Sequence, residues 1–219
     1  MIYSENILIC IALPLLISLI FTKKNARNFV AFFIVGMFVC LLSAYISGFL
    51  ESMIVYDDEW TAIYISPIIE EIMKLFPLLF GFIIFDPEDE VMTLSAVGLG
   101  TGFATFENCC YILSAGSKSL RYVIIRGMSA GVMHIVCIVI MIIGIINARK
   151  FKVLSMAVVV GIVSFSMIFH SLYNLLVSQE GISSYIGYGL PIATSLVLYI
   201  PYRRLQSGKE SHRTNMAKD

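Results

Sequence analysis

The hydrophobic residues of this chain come in long, nearly uninterrupted runs, and no other feature constrains its fold as strongly. Seven stretches, about 7–21, 29–50, 61–85, 91–114, 122–148, 153–177 and 185–202, are almost free of charge. Most of them are close to the roughly 20 residues that an α-helix needs to cross a bilayer. Between them the charges gather in short segments such as Lys23-Lys24-Asn25-Ala26-Arg27 and Asp86-Pro87-Glu88-Asp89-Glu90. Only 14% of the residues are charged and the mean hydropathy is +0.88, whereas soluble domains carry about 25% charge. The expected fold is an all-α, polytopic transmembrane helical bundle of about seven spans. A transmembrane β-barrel is excluded, because its segments alternate in polarity and run only about 10 residues.

The basic residues suggest an orientation. Of the fifteen Lys and Arg, eleven fall in the first, fifth and C-terminal connecting segments, while the alternate loops hold only Lys118 and Arg121. By the positive-inside rule this predicts the N-terminus outside and the C-terminus in the cytoplasm. No small-residue cleavage site follows the first run, so it is expected to be a retained helix. Residues 1–202 are expected to form one transmembrane domain, and 203–219 a polar cytoplasmic tail without packed structure. The expected localisation is multi-pass in a cell membrane, with the bilayer as a partner. No basic patch with interleaved aromatics points to nucleic acid. Cys10, Cys40, Cys109, Cys110 and Cys137 all lie in apolar runs and read as free, buried thiols. Tyr111, Tyr173 and the methionines read as core, and Gly98, Gly100 and Gly102 as close-packing positions between helices.

One run breaks the pattern. Pro67-Ile68-Ile69-Glu70-Glu71-Ile72-Met73-Lys74-Leu75-Phe76-Pro77 sets two carboxylates and a lysine near the middle of the third span. Each such charge costs roughly 2.5–3.5 kcal/mol on insertion scales, so residues of this kind are rare and usually functional. On a helix Lys74 reaches either Glu70 at i,i+4 or Glu71 at i,i+3. The two prolines can kink the helix or open its backbone. Other polar residues lie within neighbouring spans: Glu107 and Asn108 in the fourth, Arg126 and His134 in the fifth, His170 and Asn174 in the sixth. At 1.5 Å per residue, Glu71, Glu107, His134 and His170 lie roughly 11–18 Å from the outer ends of their helices, within one layer.

Carboxylates and histidines at one level suggest water activation, with a glutamate as general base and histidine orienting water or carrying a proton. His170 and Asn174 share a helix face and can hold a developing oxyanion. His134, His170 and Glu107 are also zinc-type ligands, but no HExxH motif is present, so the sequence leaves Zn2+ open. Plainer roles stand beside these. Glu70, Glu71 and Lys74 can form a structural ion pair, Glu107 can pair with Arg126 or bond another helix, and His170 with Asn174 can be interhelical glue. Arg126 reads as a snorkelling interfacial arginine. The same residue types also build proton- or ion-coupled transporters, although no internal repeat relates two halves of the chain. A catalytically silent membrane scaffold is a further alternative.

The order of motifs resembles the PrsW family of intramembrane proteases. It comprises Glu70-Glu71-Ile72-Met73-Lys74, Phe103-Ala104-Thr105-Phe106-Glu107, His134, and His170-Ser171-Leu172-Tyr173-Asn174. That family shares a superfamily with type II CAAX prenyl proteases and bacteriocin-processing membrane proteases. The resemblance covers about 67–174 and implies a membrane endopeptidase of metalloprotease type. It implies as substrate a membrane-anchored protein cut near its extracytoplasmic side, such as an anti-sigma factor in regulated proteolysis. It makes Glu70 and Glu71 the catalytic pair, gives His134 and His170 to metal or water, and Asn174 to the oxyanion, with Lys74, Glu107 and Asn108 in support. Glu107 departs from the prenyl-protease pattern, which has histidine there, and matches the PrsW branch.

Overall fold

The computed structural model of the chain describes residues 4–22, 24–53, 58–115, 119–151 and 156–216. Lys23, Lys118, Lys152 and Lys218, which entered the charge argument, lie outside the described residues. Among the described residues there are seven long helices and no strand. They are α1 (Ser4–Phe21), α2 (Lys24–Met53), α3 (Ser66–Phe85), α4 (Asp89–Ala115), α5 (Leu120–Lys150), α6 (Met156–Ser178) and α7 (Ile182–Met216). Each apolar run has become one helix, because a backbone denied water must bond within its own segment. Three of them, Asn25–Met53, Leu120–Lys150 and Met156–Ser178, are long and apolar enough by length and composition to cross a membrane. The third run is lowered in apolar character by Glu70, Glu71 and Lys74, the residues that make it interesting. Backbone helix continues in α7 to Met216, past the apolar run and into the tail that was expected to lack structure.

The centre of the bundle is α5. It packs against α4, α6 and α7 and touches α3, and its Cys137, Ile138, Met141, Ile142 and Ile146 are fully buried. The outward faces are apolar instead of polar: Phe80, Ile83, Ile84 and Phe85 of α3 and Leu196 and Val197 of α7 are all exposed. Such a surface suits lipid and would be a liability in water. Cys40 and Cys137 are buried free thiols, while Cys10 is exposed on the outward side of α1, contrary to the expectation that all five are buried.

Glycines set the closest approach, between α2 and α4. A Cβ on Gly102 would stand 1.9 Å from the Phe33 carbonyl oxygen, one on Gly36 2.1 Å from that of Leu99, and one on Gly98 2.6 Å from that of Phe29. These contacts are backbone to backbone and cannot be relieved by a side-chain rotation.

One end of the bundle is tied by ions. Asp86 ends α3 in the left-handed region, with φ 37° and its N–H on the Phe82 carbonyl, and Pro87 stops any continuation. Arg149 at the end of α5 donates to Asp86 (3.0 Å), to the Pro87 carbonyl (3.3 Å) and to Asp89, and Lys150 also pairs with Asp89 (3.5 Å). The α3–α4 loop therefore lies at the same end as the close of α5, as alternating spans require.

The helix bearing the charged turn has an irregular entry. Thr61–Ile65 is π-helical, with the Ser66 N–H bonding the Thr61 carbonyl. Pro67 follows at once. Lacking an N–H and crowding the carbonyl four residues back, it disfavours a regular α-turn there, and the wider π-turn relieves the crowding. Pro77 lies inside α3, and the helix runs on through it.

The packing predicts that Gly102→Ala lowers the stability of the purified protein by about 1–3 kcal/mol, the usual cost of overpacking. Gly48, whose Cβ would meet nothing within 4 Å, should accept alanine without loss. Thermal unfolding in detergent compares the two, and equal effects would contradict the α2–α4 account.

Candidate active site

Four helices bring their polar residues to one place in the bundle interior. Glu71, Lys74 and His134 are completely buried and His170 is 2% exposed. Of the two partners open to Lys74 on its own helix, the structure selects Glu71: the ammonium donates to Glu71 Oε1 at 2.7 Å. It lies also 2.9 Å from His134 Nδ1 and 4.1 Å above the centre of the Phe103 ring. An ammonium has only hydrogens to offer, so Nδ1 of His134 accepts and the ring hydrogen sits on Nε2. That Nε2–H donates to Glu107 Oε2 at 2.8 Å. On the other side His170 Nδ1–H donates to Glu71 Oε1 at 2.7 Å, which leaves His170 Nε2 with a bare lone pair. The two imidazoles meet edge to face, 5.0 Å apart.

The chain of contacts goes one residue further. Glu107 Oε1 receives Arg126 Nη2 at 3.5 Å, and the guanidinium lies 3.4 Å over the Tyr111 ring. Arg126 is therefore not a freely snorkelling side chain; with 19% of its side chain exposed it closes the network beside Glu107. Tyr111, expected in the core, is 40% exposed and acts as its platform, stacked in turn on Tyr122. Spacing along α4 contained a signal for this, since Glu107 and Tyr111 are four apart and both face one arginine.

Asn174 occupies a different place from the one expected. It shares the helix face of His170, but its side-chain amide donates to the Ala62 carbonyl in the π-turn at 2.9 Å. It ties α6 to the entry of α3, and the Glu–His group does not hold it as an oxyanion donor. Asn108 lies beside Gly131 of α5, with its Oδ1 buried and without a hydrogen-bond partner among the described residues. Tyr173, buried as expected, bonds Ser129 of α5 at 2.6 Å.

The donor set expected for a metal also changes. Ligand atoms of Glu70, His134 and His170 lie within 4.8 Å of one another. Glu70 thus replaces Glu107, whose carboxylate stands behind His134 as its hydrogen-bond partner. The residues fit a divalent cation of the zinc type. Glu70 Oε2 is buried without a partner and 3.9 Å from His170 Nε2, too far for a direct bond. His170 holds its free nitrogen toward it while its other nitrogen is fixed by a carboxylate, the usual orientation of a metal-bound histidine. His134 would join by releasing Lys74 or Glu107. Glu71 Oε2 is likewise buried without a partner, while its Oε1 is pinned by Lys74 and His170.

Carboxylates and imidazoles gathered inside an apolar helical bundle fit a class, the membrane-embedded hydrolases, in which water is activated away from bulk solvent. The sequence places the chain more closely. Residues 24–202 match the family model described as PrsW family intramembrane metalloprotease, and the chain belongs to that family. Its activity class is intramembrane proteolysis, and the Glu70–His134–His170 group is one that could hold a metal ion. Comparison with curated proteins and with solved structures found no match.

The buried pair makes a stability prediction. Lys74→Met strands the Glu71 charge and should cost about 3–5 kcal/mol, whereas Glu71→Gln with Lys74→Met leaves no lone charge and should recover much of that. Unfolding measurements on both proteins decide it; an equal loss in the double variant would count against the ion pair.

Proposed function

We propose that this protein is an endopeptidase that cuts a membrane-anchored protein within the outer half of the membrane, and that Glu71 is its general base. The observation that carries this reading is the asymmetry of Glu71. One carboxylate oxygen is fixed by Lys74 and His170, and the other is buried with no partner. The contacts of Lys74 and His170 on Oε1 fix the direction in which Oε2 points. Glu71 Oε2 takes a proton from water as the water oxygen bonds to the scissile carbonyl carbon. The same proton then passes to the amide nitrogen as the C–N bond breaks. Glu70, His134 and His170 would hold a divalent metal, Zn2+ being the natural candidate for these donors. Bound there, it would supply Lewis-acid polarisation.

The orientation inferred from Lys and Arg puts this layer nearer the extracytoplasmic side. That supports a substrate tethered to the membrane and cut on that face, and an anti-sigma factor is the substrate that the sequence resemblance suggests. On this reading the protein is a multi-pass component of the cell membrane, with residues 1–202 as its single membrane domain.

Three variants separate the roles. In liposomes with a membrane-tethered protein substrate, Glu71→Gln should abolish cleavage and keep the metal content of the wild type. Glu70→Gln and His170→Ala should lose cleavage and bound metal together, and a chelator should inhibit the wild type. Wild-type rates in Glu71→Gln, or full metal content in Glu70→Gln, would sink the assignment.

A further inference from the structure

We infer that Arg126 is a positioning residue of this site, acting through Glu107 to hold the His134 ring in one orientation and one tautomer. The inference rests on the proposed reading of the Glu–His group as the reacting centre. Glu107 is the outermost carboxylate of the network, with 29% of its side chain exposed. A carboxylate in that setting is held less firmly by one engaged oxygen than by two. Oε2 faces His134 Nε2 at 2.8 Å and Oε1 faces Arg126 Nη2 at 3.5 Å. The arginine is what distinguishes the two oxygens.

Arg126 is itself held. Its guanidinium lies flat on Tyr111 at 3.4 Å, and Tyr111 stacks on Tyr122 with ring centres 6.3 Å apart. A planar cation on an aromatic face keeps a fixed attitude that lysine cannot reproduce. Its Nε is buried without a partner, so the residue is committed through its outer nitrogens. The direction of influence follows: Tyr111 and Tyr122 fix Arg126, Arg126 fixes Glu107, and Glu107 fixes the hydrogen of His134 on Nε2. With that hydrogen placed, Nδ1 is left facing Lys74 and the interior of the site. A carboxylate behind an active-site histidine typically contributes 10–100-fold to activity or metal affinity, and Arg126 should share in that contribution without touching the substrate.

The test combines kinetics with a spectroscopic readout in detergent-solubilised full-length protein at matched metal content. Arg126→Gln should lower kcat about 10-fold or more with KM unchanged, and Arg126→Lys should recover only part of the loss. On a Glu107→Gln background, Arg126→Gln should add little, because residues acting as one unit are non-additive. Independently of cleavage, the 15N signal of His134 Nε2, identified by its loss in His134→Gln, should move in Arg126→Gln. A raised KM, an undiminished effect on the Glu107→Gln background, or an unmoved His134 signal would overturn the inference. Should Arg126→Gln not fold, Tyr111→Leu removes the platform and leaves the charge. The same His134 shift and the same dependence on Glu107 are then expected, and their absence overturns it. Failure of the wild type to cleave any tethered substrate would instead strike the proposed function.

Discussion

A fully buried ammonium is the constraint on which the rest of this structure depends. Lys74 has no solvent to return to, so every direction around it must be answered by protein. Glu71 answers on its own helix, His134 from α5, and the face of Phe103 from α4. Glu71, now also buried, requires a second donor and takes His170 from α6. Four helices are thereby locked around one charge. In lipid, apolar side chains give helices little preference for one neighbour over another, and association rests on close packing and on polar contacts of this kind. The two devices divide the work here. Backbone contact at Gly36, Gly98 and Gly102 seats α2 on α4, and the polar network sets how α3, α5 and α6 are turned toward α4.

That division explains what could be read in the sequence. The seven helices were legible because hydropathy is a property of a segment and needs no partner. The glycines were legible because absence of a side chain has one use at a helix contact. That the charged residues within the spans have a purpose was legible too, since intramembrane charge is too costly to occur without one. Who pairs with whom was not. Glu70 and Glu71 both lie within reach of Lys74 by helical spacing, and what decides between them is the side from which His134 and His170 approach. The same ambiguity touches the carboxylate among the expected metal donors, while His134 and His170 fall in the group that could hold a metal. Glu107 and Glu70 are equivalent as residue types, but the structure puts one behind His134 and the other in front of His170. Arg126 was read as interfacial because an arginine near a helix end usually is, and its platform, Tyr111, sits on another helix.

Asn174 shows a different limit. Its position on the face of His170 was expected, and the shared face is real; only the target differs. The partner is a main-chain carbonyl in a π-turn, and a sequence gives no residue type to a carbonyl. The π-turn was signalled only indirectly, by Pro67, which could equally have begun a helix cleanly.

The consequence for α3 is mechanical. A π-turn admits one more residue than an α-turn and so rotates everything after it by about 100° relative to an unbroken helix. Glu71 and Lys74 lie within ten residues of that turn, so its presence helps to decide whether they face the bundle or the lipid. Helix α6 holds α3 at both ends of this interval. Asn174 grips the turn at Ala62, and His170, one turn away on the same face, grips Glu71. The His170–Asn174 pair is thus a two-point clamp on the helix that carries the carboxylates. Its first point sets the rotation of that helix, and its second uses the rotation to aim a carboxylate oxygen.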